Sequence, residues 1–170
     1  MKRLLFVIAI ALFVTTANAQ DKGDMAVGAQ VAFGTGDGFS NIGIGAKFQW
    51  NPANRLRLEP SFTYFLKKDL VSMWDISANV HYQFPLGKVV GFYPLAGVGV
   101  MGVKVDIPEV DLGEYGSYGG SASDTKFGVN VGVGADFNLS EKFVVNAEVK
   151  YKIVQHWNRL IISAGFAYKF

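Results

Sequence analysis

Residues 74–84, WDISANVHYQF, place an apolar side chain at every even position and a polar one at every odd position. Successive side chains of a β-strand point to opposite faces, so this alternation predicts a strand with one apolar and one polar face. The segment is about twice as long as the five or six residues usual in soluble sheets, and it matches the ~9–11 residues with which a tilted strand crosses a bilayer. We therefore expect it to span a membrane.

The same alternation recurs in seven further segments of similar length. They are residues 25–34, 41–50, 56–66, 92–101, 127–138, 143–153 and 161–170. In a soluble eight-stranded barrel the apolar set would fill the interior, but that lumen has no room for large residues such as Trp50, Phe48 and Phe137. The sequence therefore predicts an all-β fold: an eight-stranded antiparallel up-and-down transmembrane β-barrel. Its apolar face would meet lipid, and its polar, glycine-rich face would fill the lumen.

The connections between these segments alternate in length. Tight turns are expected at 51–54, 85–88 and 138–142, and longer loops at 67–72 and 106–126. Short turns at one rim and longer loops at the other are typical of an outer-membrane barrel whose chain starts on the periplasmic side.

The first 19 residues have the build of a cleavable secretory signal. Two basic residues precede an apolar run at 4–14 and small residues at 17–19. That run is shorter than the ~20 apolar residues of a spanning helix, which favours a signal over an anchor. We predict a signal peptide at 1–19 and one β-barrel domain at 20–170. Because two of the 16 basic residues lie in the signal, the remaining 14 equal the 14 acidic ones.

Charge and cysteine content exclude several classes of protein. A nearly neutral mature chain does not suggest nucleic-acid binding. The absence of cysteine excludes a disulfide framework, a thiolate metal site and a lipoprotein anchor. Neither metal-ligand spacing nor a phosphate-binding loop is present in the sequence, so we predict no metal and no cofactor.

The chain ends with IISAGFAYKF, which sets Phe166, Tyr168 and Phe170 on one face of the last strand. These residues look like the C-terminal signal read by the barrel-assembly machinery. Together with the strand pattern, they make the whole mature chain resemble the small outer-membrane barrels of the OmpX and OmpA transmembrane type, grouped as porin-family proteins. The resemblance implies a monomer in the outer membrane of a Gram-negative cell, in contact with outer-membrane lipid and lipopolysaccharide.

The predicted lumen carries charged and titratable groups of both signs. By parity they are Lys47, Arg57, Glu59, Asp75, His81, Asp136, Glu148, Lys150 and Lys152, with Lys169 at the end of the chain. If Lys47 stands opposite Glu59, and Glu59 opposite His81, cross-strand ion pairs follow. The favoured interpretation is an interior plugged by its own paired side chains, because an unpaired buried charge is costly. The alternative is a narrow channel for small solutes, for which the glycines of the strands leave room.

An enzyme is the least favoured function. Some small barrels are lipid A deacylases or acyltransferases, so nucleophiles and bases need to be considered. His81 points inward by parity, His156 lies in an outer loop, and Ser163 points inward on the following strand. No Ser-His-acid set follows from this spacing. We predict no catalytic residue and a structural or surface-interaction role.

The segment 106–124 contains five acidic and no basic residues. Its Gly, Ser and acid content predicts a solvated, mobile outer loop. A sharper hypothesis is an extracellular ligand surface in the 106–126 loop, with Tyr115 and Tyr118 as anchors. In another outer loop, Lys67 and Lys68 are candidates for contact with lipid A phosphates.

Two prolines fall inside predicted strands. Pro60 and Pro94 lack an amide donor, and a closed barrel has no edge to accommodate them. We expect a bulge or a strand boundary at each.

Overall fold

The computed structural model describes residues 22–87, 89–111, 117–155 and 157–170, and side chains within these ranges except at 107–111 and 117–119. The strands are β1 Met25–Gly36, β2 Phe39–Ala53, β3 Leu56–Lys68, β4 Val71–Tyr82, β5 Phe84–Leu86, β6 Val90–Asp111, β7 Ser117–Asn138, β8 Phe143–Val154 and β9 Arg159–Lys169. Within the described ranges, no helix is long and apolar enough to cross a membrane.

The strands form one closed antiparallel barrel. Neighbours follow the order β4-β3-β2-β1-β9-β8-β7-β6, and β4 also pairs with β6, which closes the ring. Gln83 separates β4 from the short β5, and both pair with β6, so the two together make one strand of the barrel. The predicted eight-stranded up-and-down barrel is confirmed.

Burial is inverted relative to a soluble barrel. In β7, Val129, Val131 and Val133 are each more than 40% exposed, whereas Asn130 between them is fully buried. Because side chains alternate across a strand, the buried set lines the lumen and the exposed apolar set covers the outside. This is the arrangement that the alternation in the sequence predicted.

The start of β1 and the end of β9 lie at the same end of the barrel, which we call the terminal end. Phe170 follows β9, and its N–H donates to the carbonyl oxygen of Met25 at 3.0 Å. Nearby, the rings of Phe143 and Tyr168 make an edge contact with centroids 5.2 Å apart. Phe166 and Phe170 are exposed on the outer face. The last strand is therefore paired with β1 almost to its final residue.

Two connections at the opposite end are two-residue turns. Asp37 and Gly38 have φ of 49° and 78°, the conformation of a type I′ hairpin. Asp69 and Leu70 have φ of 49° and 67° in the next hairpin. The longer loop predicted at 67–72 is therefore wrong, because β3 and β4 stay paired up to this turn although it contains no glycine to signal it.

The loop predicted at 106–126 is also wrong, since most of it is a β-hairpin. Pairing of β6 with β7 continues past the barrel to Asp111 opposite Ser117, and each of these strands has 22 residues. β-Branched residues such as Ile107 and Val110 favour the extended chain. The pairing of β6 with β7 shifts its register once, between these two residues. We call this extension the hairpin, and the end of the barrel that carries it the hairpin end.

The ladder is interrupted on one side of each proline. Pro60 lies between Ser61 and Leu58, the positions at which pairing with β2 stops and resumes. Pro94 and Tyr93 lie opposite Tyr82 and Gln83, where the β4 and β5 ladders with β6 are interrupted. Each interruption falls where the missing amide would otherwise have had to donate.

Candidate functional site in the barrel interior

The lumen is filled with polar and charged side chains. The nine predicted lumen-facing groups are all buried, none more than 4% exposed: Lys47, Arg57, Glu59, Asp75, His81, Asp136, Glu148, Lys150 and Lys152. They come from β2, β3, β4, β7 and β8. The barrel interior therefore holds the buried charged and titratable side chains that could take part in binding or catalysis.

An ion pair crosses the lumen near the terminal end. Arg57 of β3 donates from a terminal guanidinium nitrogen to the Asp136 carboxylate of β7 at 2.6 Å. The amide of Gln83 lies 3.5 Å from the same carboxylate oxygen. Two strands separate β3 from β7 in the ring, so this contact bridges the barrel rather than joining neighbours.

Glu59 lies at the centre of a second cluster. Gln49 donates to its Oε2 at 2.7 Å, and the Lys47 ammonium lies 3.7 Å from that oxygen. The other oxygen, Oε1, lies 3.9 Å from His81 Nε2. Lys47 also donates to Asn146 across the lumen at 2.9 Å. The carboxylate is thus surrounded by donors from neighbouring strands.

The strand register differs from the predicted one by two residues. Lys47 stands opposite Ser61 rather than Glu59, and Glu59 stands opposite Asn79 rather than His81. The β2–β3 ladder has a register shift between Trp50 and Ala53, and the β3–β4 ladder has one between Phe65 and Lys68. The predicted partners still approach within 4 Å, because long side chains reach diagonal neighbours across a ladder.

Tyr93 is a buried lumen residue that the sequence analysis missed. Its ring stacks on His81 with centroids 4.5 Å apart and planes 3° from parallel. Its hydroxyl donates to Glu148 at 3.4 Å, and the Arg57 guanidinium lies 5.5 Å from its ring centre. A side chain on Gly134 would place Cβ 2.4 Å from the Tyr93 ring, so the glycine makes room for it. Alternation around Pro94 was too weak to assign this tyrosine to a face.

A third cluster lies farther toward the hairpin end. Lys152 of β8 pairs with Asp75 of β4 and donates to Ser77 at 3.1 Å. Ser77 in turn donates to Asp75 at 2.6 Å, and the Asn130 amide donates to Asn79 at 2.8 Å. The cluster links three strands through buried hydrogen bonds.

Arg159 caps the interior at the hairpin end and was also missed. It donates to Asn41 at 2.6 Å, contacts the Met73 sulfur, and lies 4.8 Å from the centre of the buried Phe65 ring. A cavity of about 330 Å³ opens above this layer, lined by Trp157 among other residues. The alternation predicts that the last strand begins at residue 161, so it does not identify Arg159 as the first residue of a strand.

The lysines predicted to meet lipid phosphates lie on the outer surface of the hairpin end. Lys67 donates to Asp106 at 2.6 Å, and Lys104 lies 3.4 Å from the same carboxylate. The hydrogen bond from Lys67 lowers the pKa of Asp106 below its ordinary value. Lys68 lies 3.5 Å from the Ser40 hydroxyl. Lys67 is thus engaged by a carboxylate, which leaves Lys68 the freer of the two predicted contacts.

The remaining predicted residues are placed as follows. Tyr118 belongs to β7, but its side chain lies outside the described part of the structure, and so does the whole of Tyr115. His156 lies outside the described residues as well, whereas Ser163 is buried in the lumen on β9. In the described region, both ring nitrogens of His81 lack a hydrogen-bond partner, so this histidine makes no Ser-His pair.

A family model described as the outer membrane protein beta-barrel domain matches residues 4–170. The chain belongs to this family. This match confirms the resemblance drawn from the strand pattern and the C-terminal aromatic residues. Comparison with curated proteins gave no significant match.

Solved structures of other outer-membrane barrels share the fold of this family member. Ail, the attachment invasion locus protein of Yersinia pestis, is 22% identical, with 88% of this chain and 99% of that chain covered and a TM-score of 0.61. Neisserial surface protein A is 19% identical, covering 86% and 96% with a TM-score of 0.68. The N-terminal barrel of Pseudomonas aeruginosa OprF is 16% identical, covering 89% and 100% with a TM-score of 0.60.

Membership of the family places this protein in the outer membrane. The exposed apolar belt formed by residues such as Val31, Ile44 and Val131 then faces lipid. Backbone groups in the bilayer are satisfied because the ring of strands is closed. What distinguishes one barrel from another must therefore lie in the lumen and at the two rims.

Proposed function

We propose that this protein is a non-enzymatic outer-membrane barrel with a plugged lumen and a structural or surface-interaction role. The observation that supports this most is the set of side-chain links across the interior. Arg57–Asp136, Lys152–Asp75 and Lys47–Asn146 each join strands that are not neighbours. Together with packed Tyr93 and Phe65, they occupy the space that a solute would need. In this proposal, the chain is exported through a cleaved signal at 1–19 and inserted as a monomer by the barrel-assembly machinery.

The hairpin is the proposed surface element. If the terminal end faces the periplasm, the hairpin extends outside the cell, where lipopolysaccharide surrounds the barrel. Ail of Yersinia pestis has been crystallised with the heparin analogue sucrose octasulfate. The segment 106–124 of this chain carries five acidic and no basic residues, so a sulfated polyanion is a poor match here. We propose that a partner of the hairpin carries positive charge.

Conductance of the refolded barrel in a planar bilayer tests the plugged lumen. The unmutated protein should be silent or give small, irregular currents. Glu59→Ala and Glu148→Ala remove buried carboxylates and should raise conductance or lower stability, whereas Glu141→Ala removes an exposed carboxylate from a turn and should do neither. Steady, solute-selective openings in the unmutated protein would support the narrow-channel function instead, which the cavity at the hairpin end favours. Acyl-chain release from lipid A would overturn the non-enzymatic role.

Replacing residues 107–120 with Asn-Gly tests the surface role. This substitution joins Asp106 to Ser121, which are already paired, through a two-residue turn. The shortened barrel should still insert and keep its heat-dependent gel mobility, because the barrel strands retain their partners. Binding to cells or to a basic matrix protein should be lost. Binding that survives the deletion would contradict a role for the hairpin.

A further inference from the structure

Three buried side chains of the lumen bring potential metal ligands together. Glu59 of β3, His81 of β4 and Glu148 of β8 each offer one ligand atom, and these atoms lie within 4.8 Å of one another. All three residues are less than 4% exposed. Two ligands of a tetrahedral Zn²⁺ lie about 3.3–3.4 Å apart, so the side chains have to move toward one another by on the order of 1 Å to reach a common ion.

His81 is the observation that points to a ligand. The residue is fully buried, and neither ring nitrogen has a hydrogen-bond partner. A buried imidazole without partners is costly, and native structures rarely leave such a group unexplained. Its Nε2 faces Glu59 Oε1 at 3.9 Å, which is too long for a hydrogen bond. An ion between the two groups would satisfy the nitrogen and the oxygen at once.

The carboxylates are only loosely held by the lysines around them. Lys47 lies 3.7 Å from Glu59, and Lys150 lies 3.7 Å from Glu148. Gln49 holds the Oε2 of Glu59, so Oε1 is the oxygen left toward His81. Lys47 already has a second acceptor in Asn146 at 2.9 Å, so it can leave Glu59 without losing all of its partners.

The groups around the triad hold it in place. Tyr93 stacks on the imidazole and donates its hydroxyl to Glu148, and such outer contacts orient metal ligands. The charges of Arg57 and Asp136 are already paired with each other at 2.6 Å. Two carboxylates match the charge of a divalent ion, with the imidazole as a neutral ligand, and Lys47 and Lys150 are the cations that the ion has to displace from them.

We propose that Glu59, His81 and Glu148 bind one divalent transition-metal ion inside the barrel, with Zn²⁺ as the probe. Imidazole and carboxylate are ligands that zinc accepts, and three protein ligands leave a fourth position open. The site does not depend on whether the lumen conducts or on what the hairpin contacts. Its failure would leave the proposed function intact.

Isothermal titration of chelator-treated, refolded barrel with ZnCl₂ tests the proposal. One ion per barrel should bind. His81→Gln and Glu148→Gln should each weaken the affinity by at least about 100-fold, because even loss of an outer-shell partner costs 10- to 100-fold. His156→Gln removes the one other histidine of the sequence and should leave the affinity unchanged.

Heat-dependent gel mobility shows which variants are folded. Two further measurements use the unmutated barrel alone. Co²⁺ should give a ligand-field spectrum that Zn²⁺ abolishes, and the His81 ring signals should shift on zinc addition. Absence of binding by the folded, unmutated barrel would overturn the proposal. Binding that survives in His81→Gln and disappears in His156→Gln would overturn it too.

Discussion

Removal of the Asp136 carboxylate should destabilise the barrel strongly. Arg57 is fully buried and Asp136 is 3% exposed, with their charges 2.6 Å apart. Asp136→Ala leaves the guanidinium buried without its main counter-charge, a change that costs about 3–5 kcal/mol when one partner of a buried pair is removed. With a urea dependence of ~2 kcal/mol/M, the unfolding midpoint should fall by about 2 M.

A double-mutant cycle isolates the pair. Equilibrium urea unfolding in lipid vesicles, followed by tryptophan fluorescence and gel mobility, should be measured for Asp136→Leu, Arg57→Met and the double variant. The double variant should lose much less stability than the sum of the single ones, because it leaves no uncompensated buried charge. Asp124→Ala is the control, since this carboxylate is exposed beside Lys126 and should change stability by less than ~0.5 kcal/mol. Additive single effects, or a loss below ~1 kcal/mol for Asp136→Ala, would refute the reasoning.

Three further changes test other parts of the barrel. Val131→Arg puts a charge on the lipid-facing surface and should cost about 2–4 kcal/mol at mid-bilayer depth, seen as reduced insertion into vesicles, whereas Val131→Thr should insert normally. Gly134→Val forces Tyr93 from its place and should cost about 1–3 kcal/mol in urea unfolding through overpacking, and an unchanged midpoint would show that the ring does not lie there. Lys67→Met should raise the pKa of Asp106 in an NMR titration, because the hydrogen bond that lowers it is removed. With Lys67 present, the contribution of this contact persists at neutral pH and disappears as the pH falls through the lowered pKa, so an unshifted titration in Lys67→Met would contradict the contact.

The face of each strand could be predicted from the sequence because alternation has a period of two. Val131 outside and Asn130 inside follow from parity alone, and so do the buried positions of Glu59 and Glu148. Parity needs no knowledge of which strands are neighbours. The same rule failed at Tyr93 and Arg159, where Pro94 and a strand start interrupt the pattern.

The strand register and the length of the hairpin could not be predicted from the alternation. A shift by two residues keeps every side chain on its face, so the alternation does not distinguish Lys47 opposite Glu59 from Lys47 opposite Ser61. Acidic and small residues around the hairpin suggested a loop, because composition does not reveal that β6 and β7 go on pairing to Asp111. Cross-strand hydrogen bonds override a weak local preference.

The side-chain contacts across the lumen favour one strand register, whereas the apolar outer surface does not distinguish between registers. A belt of valine, isoleucine and phenylalanine in lipid is equally satisfied after a two-residue slip, since any apolar side chain there meets the same hydrocarbon. The Arg57–Asp136 pair is not satisfied after such a slip. A slip of β3 relative to β7 by two residues moves the charges apart by about 6–7 Å, which is twice the rise per residue of a strand. The two buried charges would then no longer contact each other, at a cost comparable to the total stability of a small domain. In this barrel, the polar interior therefore selects one register among those that the apolar exterior would accept.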